Sequence, residues 1–177
     1  MRAIPRSLLI LVSLLTLLAS AGVSLGQTPS VRDWNRVDDI MQGGIGLHYG
    51  KLGGNGLAFR LPLTWYVYLQ AGGGIWHTSD NKHHNLALQL NYILRQDSKL
   101  RLYLAGGLGY FYHNERIGTE PNPDVWKTDK VYNLGAGVGV EYLLSPRVSL
   151  QGELDFVHES DSGDITVAPQ VGLYYYW

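Results

Sequence analysis

Three groups of side chains in this sequence could do chemistry, and each has a setting that limits what it can do. The first is Phe156-Val157-His158-Glu159-Ser160, where an imidazole and a hydroxyl stand two residues apart. In an extended strand such a pair shares one face, so His158 could act as a base toward Ser160. A serine hydrolase also needs an acid to orient the histidine and donors for the oxyanion. Asp164 offers an acid, but residues 165–177 contain none. The second group is the six histidines, His48, His77, His83, His84, His113 and His158. Imidazoles ligate transition metals and respond to mild acid. Only His77, His83 and His84 lie close enough in sequence to form a local cluster, so no metal site is expected. The third group is Arg60, Arg101, Glu141, Glu153 and Asp155, each inside an otherwise uncharged alternating stretch.

The elements that must position these residues are strands. From Asp39 onward, alternation with a period of two marks eight segments, and no helical stretch of any length appears. They are Ile40–Gly50, Leu57–Leu61, Trp65–Trp76, Asn85–Arg95, Leu100–His113, Lys130–Leu143, Val148–His158 and Asp164–Trp177. The second is short because Pro62 limits it. In the last, Ile165, Val167, Val171, Leu173, Tyr175 and Trp177 fall on one face and Thr166, Gln170, Gly172, Tyr174 and Tyr176 on the other. A chain that stops on an aromatic strand suits a closed barrel, whose final strand must pair with the first so that no backbone edge is left in hydrocarbon. The links after strands one, three, five and seven read as long or polar, with Asn114–Asp129 the longest, whereas those after two, four and six are short. That alternation of loops and turns is the arrangement of a membrane barrel and places both termini on the short-turn, periplasmic side.

Charge density separates a membrane barrel from a soluble one. The polar faces are mostly Gly, Tyr, Gln, Asn and Ser, with the five charges named above, which suits a crowded interior rather than a solvated surface. The apolar faces carry no charge in mid-strand, where Arg or Lys would cost about 2–4 kcal/mol at the bilayer midplane. Trp65, Tyr92, Tyr142, Tyr175 and Trp177 near one end of the strands, and Tyr49, Tyr110, Tyr112, Tyr132 and Phe156 near the other, read as two interfacial girdles. Inside, isolated charges must pair, so Arg60 and Arg101 are expected to meet Glu141, Glu153 and Asp155 in an ion network that plugs the lumen. Inward glycines leave room for Tyr66, Tyr68, Tyr103, Tyr174 and Tyr176, or for a small cavity. A gated pore is the alternative, although eight strands enclose a space only wide enough for side chains.

The address is read from the other end. Arg2 and Arg6 precede an apolar run from Leu8 to Val23, and Ser24 and Gly26 supply a cleavage site before Gln27, so residues 1–26 are expected to be a signal peptide. Residues 27–38 form a polar periplasmic lead-in, and 39–177 the barrel. Losing the signal leaves 12 of the 14 basic residues against 15 acidic ones, with no basic run, so a nucleic-acid partner is not expected. No cysteine is present, which excludes disulfides and a lipid-modified cysteine.

The stretches "AGGLGY" at 105–110, "GAGVGVEY" at 135–142 running into "SPRVSLQGEL", and the terminal "YYYW" resemble the OmpA-like and OmpX-like family of small outer-membrane β-barrels. That resemblance implies an eight-stranded antiparallel transmembrane barrel in a bacterial outer membrane, an up-and-down meander without cofactor. It implies partners in outer-membrane lipid and lipopolysaccharide, and a C-terminal strand read by the barrel-assembly machinery. The expected role is structural or surface-interacting, for a monomer whose extracellular loops hold the binding surface, with Trp126 exposed among them. The Phe156–Ser160 stretch is similar to the F-x-H-x-S motif of the lipid A deacylases, which are outer-membrane esterases. The match is partial, since Asp161 stands where that family has Asn and the last strand lacks its Glu. No catalysis is therefore expected.

Overall fold

The computed structural model describes residues 42–97, 99–116 and 126–177. The expected signal peptide, lead-in and start of the first strand lie outside these residues, as does the 117–125 part of the longest link. Eight antiparallel strands form a closed barrel: β1 (Gly44–Tyr49), β2 (Gly56–Thr64), β3 (Val67–His77), β4 (Asn81–Gln96), β5 (Leu100–Arg116), β6 (Trp126–Ser145), β7 (Val148–Glu159) and β8 (Ile165–Tyr176). Each strand pairs with the next. β8 closes on β1 through the register Gly44↔Tyr176 to Tyr49↔Val171, so the last strand leaves no edge.

Burial is inverted relative to a soluble barrel, and that inversion shows what surrounds it. Leu47, Ile75 and Leu86 are 61%, 74% and 67% exposed, while Gln70, Gln151 and Gln170 are no more than 1% exposed. Leaving a leucine-sized side chain in water forfeits about 1.5–3 kcal/mol. An outer face carrying Leu, Val and Phe from all eight strands therefore belongs in hydrocarbon. The backbone makes this possible, because every strand is paired on both edges and leaves no row of bare amides facing lipid.

The elements differ from the sequence expectation at their ends. β2 continues through Pro62 to Thr64, with a register shift between those two residues. Proline is tolerated there because a bulge at the rim leaves its missing N–H without a ladder partner to disappoint. Trp65 and Tyr66 form the β2–β3 turn instead of starting β3. Tyr66 consequently leaves the lumen assigned to it and lies exposed, edge-on to Tyr92 with ring centroids 5.4 Å apart. β4, β5 and β6 run past their apolar portions into polar sequence, so the link between β3 and β4 is only 78–80 rather than long. Trp126 opens β6 instead of sitting in a loop. Alternation of hydrophobicity ends where the membrane ends, but the hydrogen-bonded ladder does not need to.

The β1–β2 link, residues 50–55, folds inward. Leu52 is fully buried, with Gly53 and Gly54 buried beside it. Gly54 adopts φ of 82°, which glycine enters without steric cost and which turns the chain back toward β2. Gly72 and Gly109 supply the space: a Cβ on Gly72 would strike the Gly53 carbonyl, and one on Gly109 would sit 3.0 Å from the Lys51 carbonyl.

Candidate functional site

The lumen contains two polar clusters stacked along the barrel axis. Toward the turn end, the Arg60 guanidinium is the hub. Its Nε donates to Gln70 Oε1 at 2.9 Å, its Nη1 to Glu141 Oε1 at 3.1 Å and to Tyr176 Oη at 2.8 Å, and its Nη2 to Gln151. Its Cζ lies 3.9 Å from the Tyr174 ring centroid. Arg101 Nη1 donates to the other oxygen of Glu141 at 3.4 Å, and Ser149 and Tyr176 donate their hydroxyls to Oε1. One carboxylate thus holds two buried guanidinium groups.

Above it, Glu153 is held by neutral donors. Gln89 and Gln170 reach Oε1, the latter at 2.9 Å, while Tyr103 and Gln151 reach Oε2 at 2.8 and 2.9 Å. Asp155 accepts from Gln170 Nε2. The structure therefore divides the five charged residues: Arg60, Arg101 and Glu141 meet, whereas Glu153 and Asp155 sit among amides and a phenol. Among the described residues the ion pairs of the lumen are Arg60–Glu141 and Arg101–Glu141. Sequence reasoning did not assign Gln70, Gln89, Gln151, Gln170 and Ser149 as partners of these charges. Their signal was the recurrence of Gln at inward positions of β3, β4, β7 and β8, since a buried amide both donates and accepts and can serve either charge.

Gln170 links this interior to the inturned loop. Its Oε1 accepts from the backbone amides of Leu52 at 3.2 Å and Gly53 at 2.7 Å, while its Nε2 serves Glu153 and Asp155. His48 Nδ1 meets the Gly54 carbonyl at 3.1 Å, and Asn133 Nδ2 donates to the Lys51 carbonyl at 2.9 Å. At the surface, Lys51 Nζ pairs with Glu159 Oε1 at 2.6 Å, and Thr166 donates to the same oxygen at 2.9 Å. The Lys51 hydrogen bond holds the Glu159 carboxyl below the usual glutamate range. The loop is thus pinned at its tip and flank and lies across the lumen.

Beyond the loop, the long-loop mouth opens into a cavity of about 670 Å³. Four inward positions cross it on adjacent strands: Trp76 on β3 faces His83 on β4, His83 faces His113 on β5, and His113 faces Asp129 on β6. The two histidines are in contact, Nδ1 to Nδ1 at 2.7 Å, with ring centroids 4.0 Å apart. Partial desolvation, then the neighbouring His113, holds His83 below the ordinary imidazole value. His77, His83 and His84, the grouping that sequence proximity alone allowed, do not come together. His77 faces Lys82 across the β3–β4 ladder, and His84 points to the other face, stacked on Tyr112 at 4.2 Å and 17°. Lys82 Nζ lies 5.0 Å from the Trp126 ring centroid.

His158 stands opposite Leu134 and Ile165 in the ladders, and Ser160 bonds to β6. Ser160 Oγ accepts from the Tyr132 amide at 2.9 Å, and the Ser160 amide donates to the Tyr132 carbonyl at the same distance, closing the β6–β7 ladder. Glu159 between them is occupied by Lys51 and Thr166. Of the aromatic residues singled out from sequence, the turn-end set lies near strand ends, whereas Tyr110 and Tyr132 lie well inside the extended β5 and β6. Trp65, Tyr92, Tyr142, Tyr175 and Trp177 are exposed toward the turn end, and Tyr110 stacks obliquely on Tyr132, 5.1 Å between centroids, toward the other.

Comparison with solved structures places this architecture. The N-terminal β-barrel domain of OprF from Pseudomonas aeruginosa is similar at a TM-score of 0.56 and 18% identity, covering 76% of this chain and 98% of that one. Ail, the attachment invasion locus protein of Yersinia pestis, is similar at 0.51 and 14% identity, covering 76% and 95%. The fold is that of the small outer-membrane β-barrels. No protein-family model matches the sequence, and no curated protein does. At these identities the likeness concerns backbone topology, so function rests on the side chains described above.

Proposed function

We propose that this protein is a closed barrel of a bacterial outer membrane, acting as a structural and surface-interaction protein that presents its long-loop mouth to the outside. The observation that carries this reading is the placement of residues 50–55. They lie across a lumen already filled by the Arg60–Glu141–Arg101 and Glu153–Asp155 clusters, while the mouth above them stays open as a cavity of about 670 Å³. A pore needs a continuous water path, whereas a receptor or adhesive surface needs a rigid rim, and these contacts favour the rim. The outer aromatics would anchor the barrel at both interfaces, with outer-membrane lipid and lipopolysaccharide as its surroundings. The C-terminal strand, apolar outside and aromatic at its end, is the segment we assign to the barrel-assembly machinery. We take the working unit to be a monomer. We read His158 and Ser160 as non-catalytic.

Absence of cysteine makes the test direct. Ser162→Cys, in the β7–β8 loop, should react with a membrane-impermeant maleimide on intact cells, whereas Ser145→Cys, at the β6–β7 turn, should react only after lysis. In planar bilayers the native protein should give no unitary conductance, and lipid A from expressing cells should keep its acyl chains. Labelling of the Ser145→Cys protein on intact cells would invert the orientation, steady conductance would replace the closed barrel with a pore, and loss of an acyl chain that His158→Ala prevents would replace it with an esterase.

A further inference from the structure

We propose that His83 and His113 form a two-imidazole site for a divalent transition-metal ion of the Zn²⁺, Ni²⁺ or Cu²⁺ class at the long-loop mouth. The two residues are directly opposed on β4 and β5 and share the inner face. Their Nδ1 atoms are 2.7 Å apart, so at least one presents a lone pair toward the other, since two protonated nitrogens could not approach so closely. Two imidazole nitrogens bound to one ion at about 2.0–2.1 Å lie roughly 2.9–3.4 Å apart, depending on the angle at the metal. The rings need to spread by only a few tenths of an ångström, through side-chain torsions at the rim, where His83 is exposed and His113 half-exposed.

A second observation points the same way. His113 turns its Nε2 to Glu115 Oε2 at 3.5 Å while its Nδ1 faces His83. A carboxylate on the far nitrogen is how metal-binding histidines are oriented and made more basic. Asp129, the register partner of His113 on β6, adds negative charge on the same inner face, although it is shared with Lys127 at 3.1 Å. Among the described residues no three His, Asp or Glu side chains converge on one point. The site therefore offers two protein ligands and leaves the remaining positions to water or to a donor from outside, facing the cavity. Imidazole pairs select borderline transition metals over oxygen-seeking Ca²⁺ and Mg²⁺.

The full-length barrel, folded in detergent micelles and stripped with chelator, would be titrated calorimetrically with Zn²⁺, Ni²⁺ and Ca²⁺. One equivalent of Zn²⁺ or Ni²⁺ should bind and Ca²⁺ should not. His83→Ala and His113→Ala should each weaken binding by roughly tenfold or more, Glu115→Gln by roughly tenfold, and His77→Ala should leave it unchanged. Heat-modifiable migration would confirm that each variant is folded. In the Cu²⁺-loaded protein, electron paramagnetic resonance should show two equivalent nitrogen couplings that become one in either alanine variant. Absence of binding in the folded native protein, binding that survives both alanine substitutions, or equal affinity for Ca²⁺ would overturn the site.

Discussion

Glu141 should be the most sensitive single residue of the lumen, more so than either arginine it binds. Replacing it with Gln keeps the volume and most hydrogen-bonding capacity but removes the one carboxylate paired with Arg60 and Arg101, both 3% exposed. Breaking a buried ion pair from one side costs about 3–5 kcal/mol, because the partner is left as an uncompensated charge. Here two such partners are left. Arg60→Met removes one guanidinium, but Glu141 keeps Arg101 at 3.4 Å and the hydroxyls of Ser149 and Tyr176. Its cost should be nearer that of the lost charged hydrogen bonds and cation–π contact, about 2–3 kcal/mol. The double variant leaves only Arg101 unpaired, so its cost should fall short of the sum of the two single costs by at least about 1 kcal/mol. Urea unfolding in lipid vesicles, followed by tryptophan fluorescence and by heat-modifiable electrophoresis, gives all three values. A Glu141→Gln protein as stable as the native one, or an Arg60→Met protein that loses more, would refute the account of one acid balancing two bases.

Two further outcomes test the outer face and the loop. Leu88 stands in the middle of β4, between Ala71 and Leu108 in the ladder, and is exposed to lipid; Leu88→Arg should cost about 2–4 kcal/mol in the same unfolding assay if this position is near the bilayer midplane. The Lys51–Glu159 pair gives the loop a pH dependence. The carboxyl of Glu159 is depressed in the folded state, so its contribution is complete above the ordinary glutamate value of about 4.3 and is lost as pH falls through the lower folded value. Hydrogen exchange at the Leu52 and Gly53 amides should accelerate on that acid limb beyond the intrinsic trend, and Lys51→Ala should abolish the extra acceleration. Protection independent of this pair would show that Gln170 alone holds the loop.

How much of this was legible in the sequence follows from what each signal measures. Alternation reports which face is apolar, and it assigned lipid and lumen sides correctly along β4 to β8. It placed Tyr66 inside because parity was extended through a turn, where parity has no meaning. It also cut β4, β5 and β6 short, since beyond the apolar belt both faces become polar while the ladder continues. The link after the first strand read only as long or polar, and its glycines at 53 and 54 do serve a reversal of the chain. Glycine marks backbone freedom without saying which way the chain uses it, and the clue was Leu52, a large apolar residue with no reason to be exposed. The His83–His113 contact was out of reach for another reason. The residues are 30 apart, and only the register of β4 on β5 makes them opposite. Sequence proximity favoured His77, His83 and His84 instead, although neighbours in a strand point to opposite faces.

On the proposed reading, the inturned loop decides where recognition occurs. An eight-stranded barrel has no spare interior, so any space near its axis exists because a side chain is small or because a segment stops short. Here the glycines facing the axis are taken by Tyr103 at Gly139, by Tyr174 at Gly46 and by the loop at Gly72 and Gly109. What remains open lies above the loop, where His48 and Asn55 form its floor and His83, His113 and Asp129 belong to its wall. The polar extensions of β4, β5 and β6 build that wall as paired strands rather than as loops. Paired strands hold side chains in fixed register at lower entropic cost on binding than a disordered loop pays. The same residues that alternation leaves unassigned, polar on both faces and beyond the membrane, are therefore those best placed to meet a ligand.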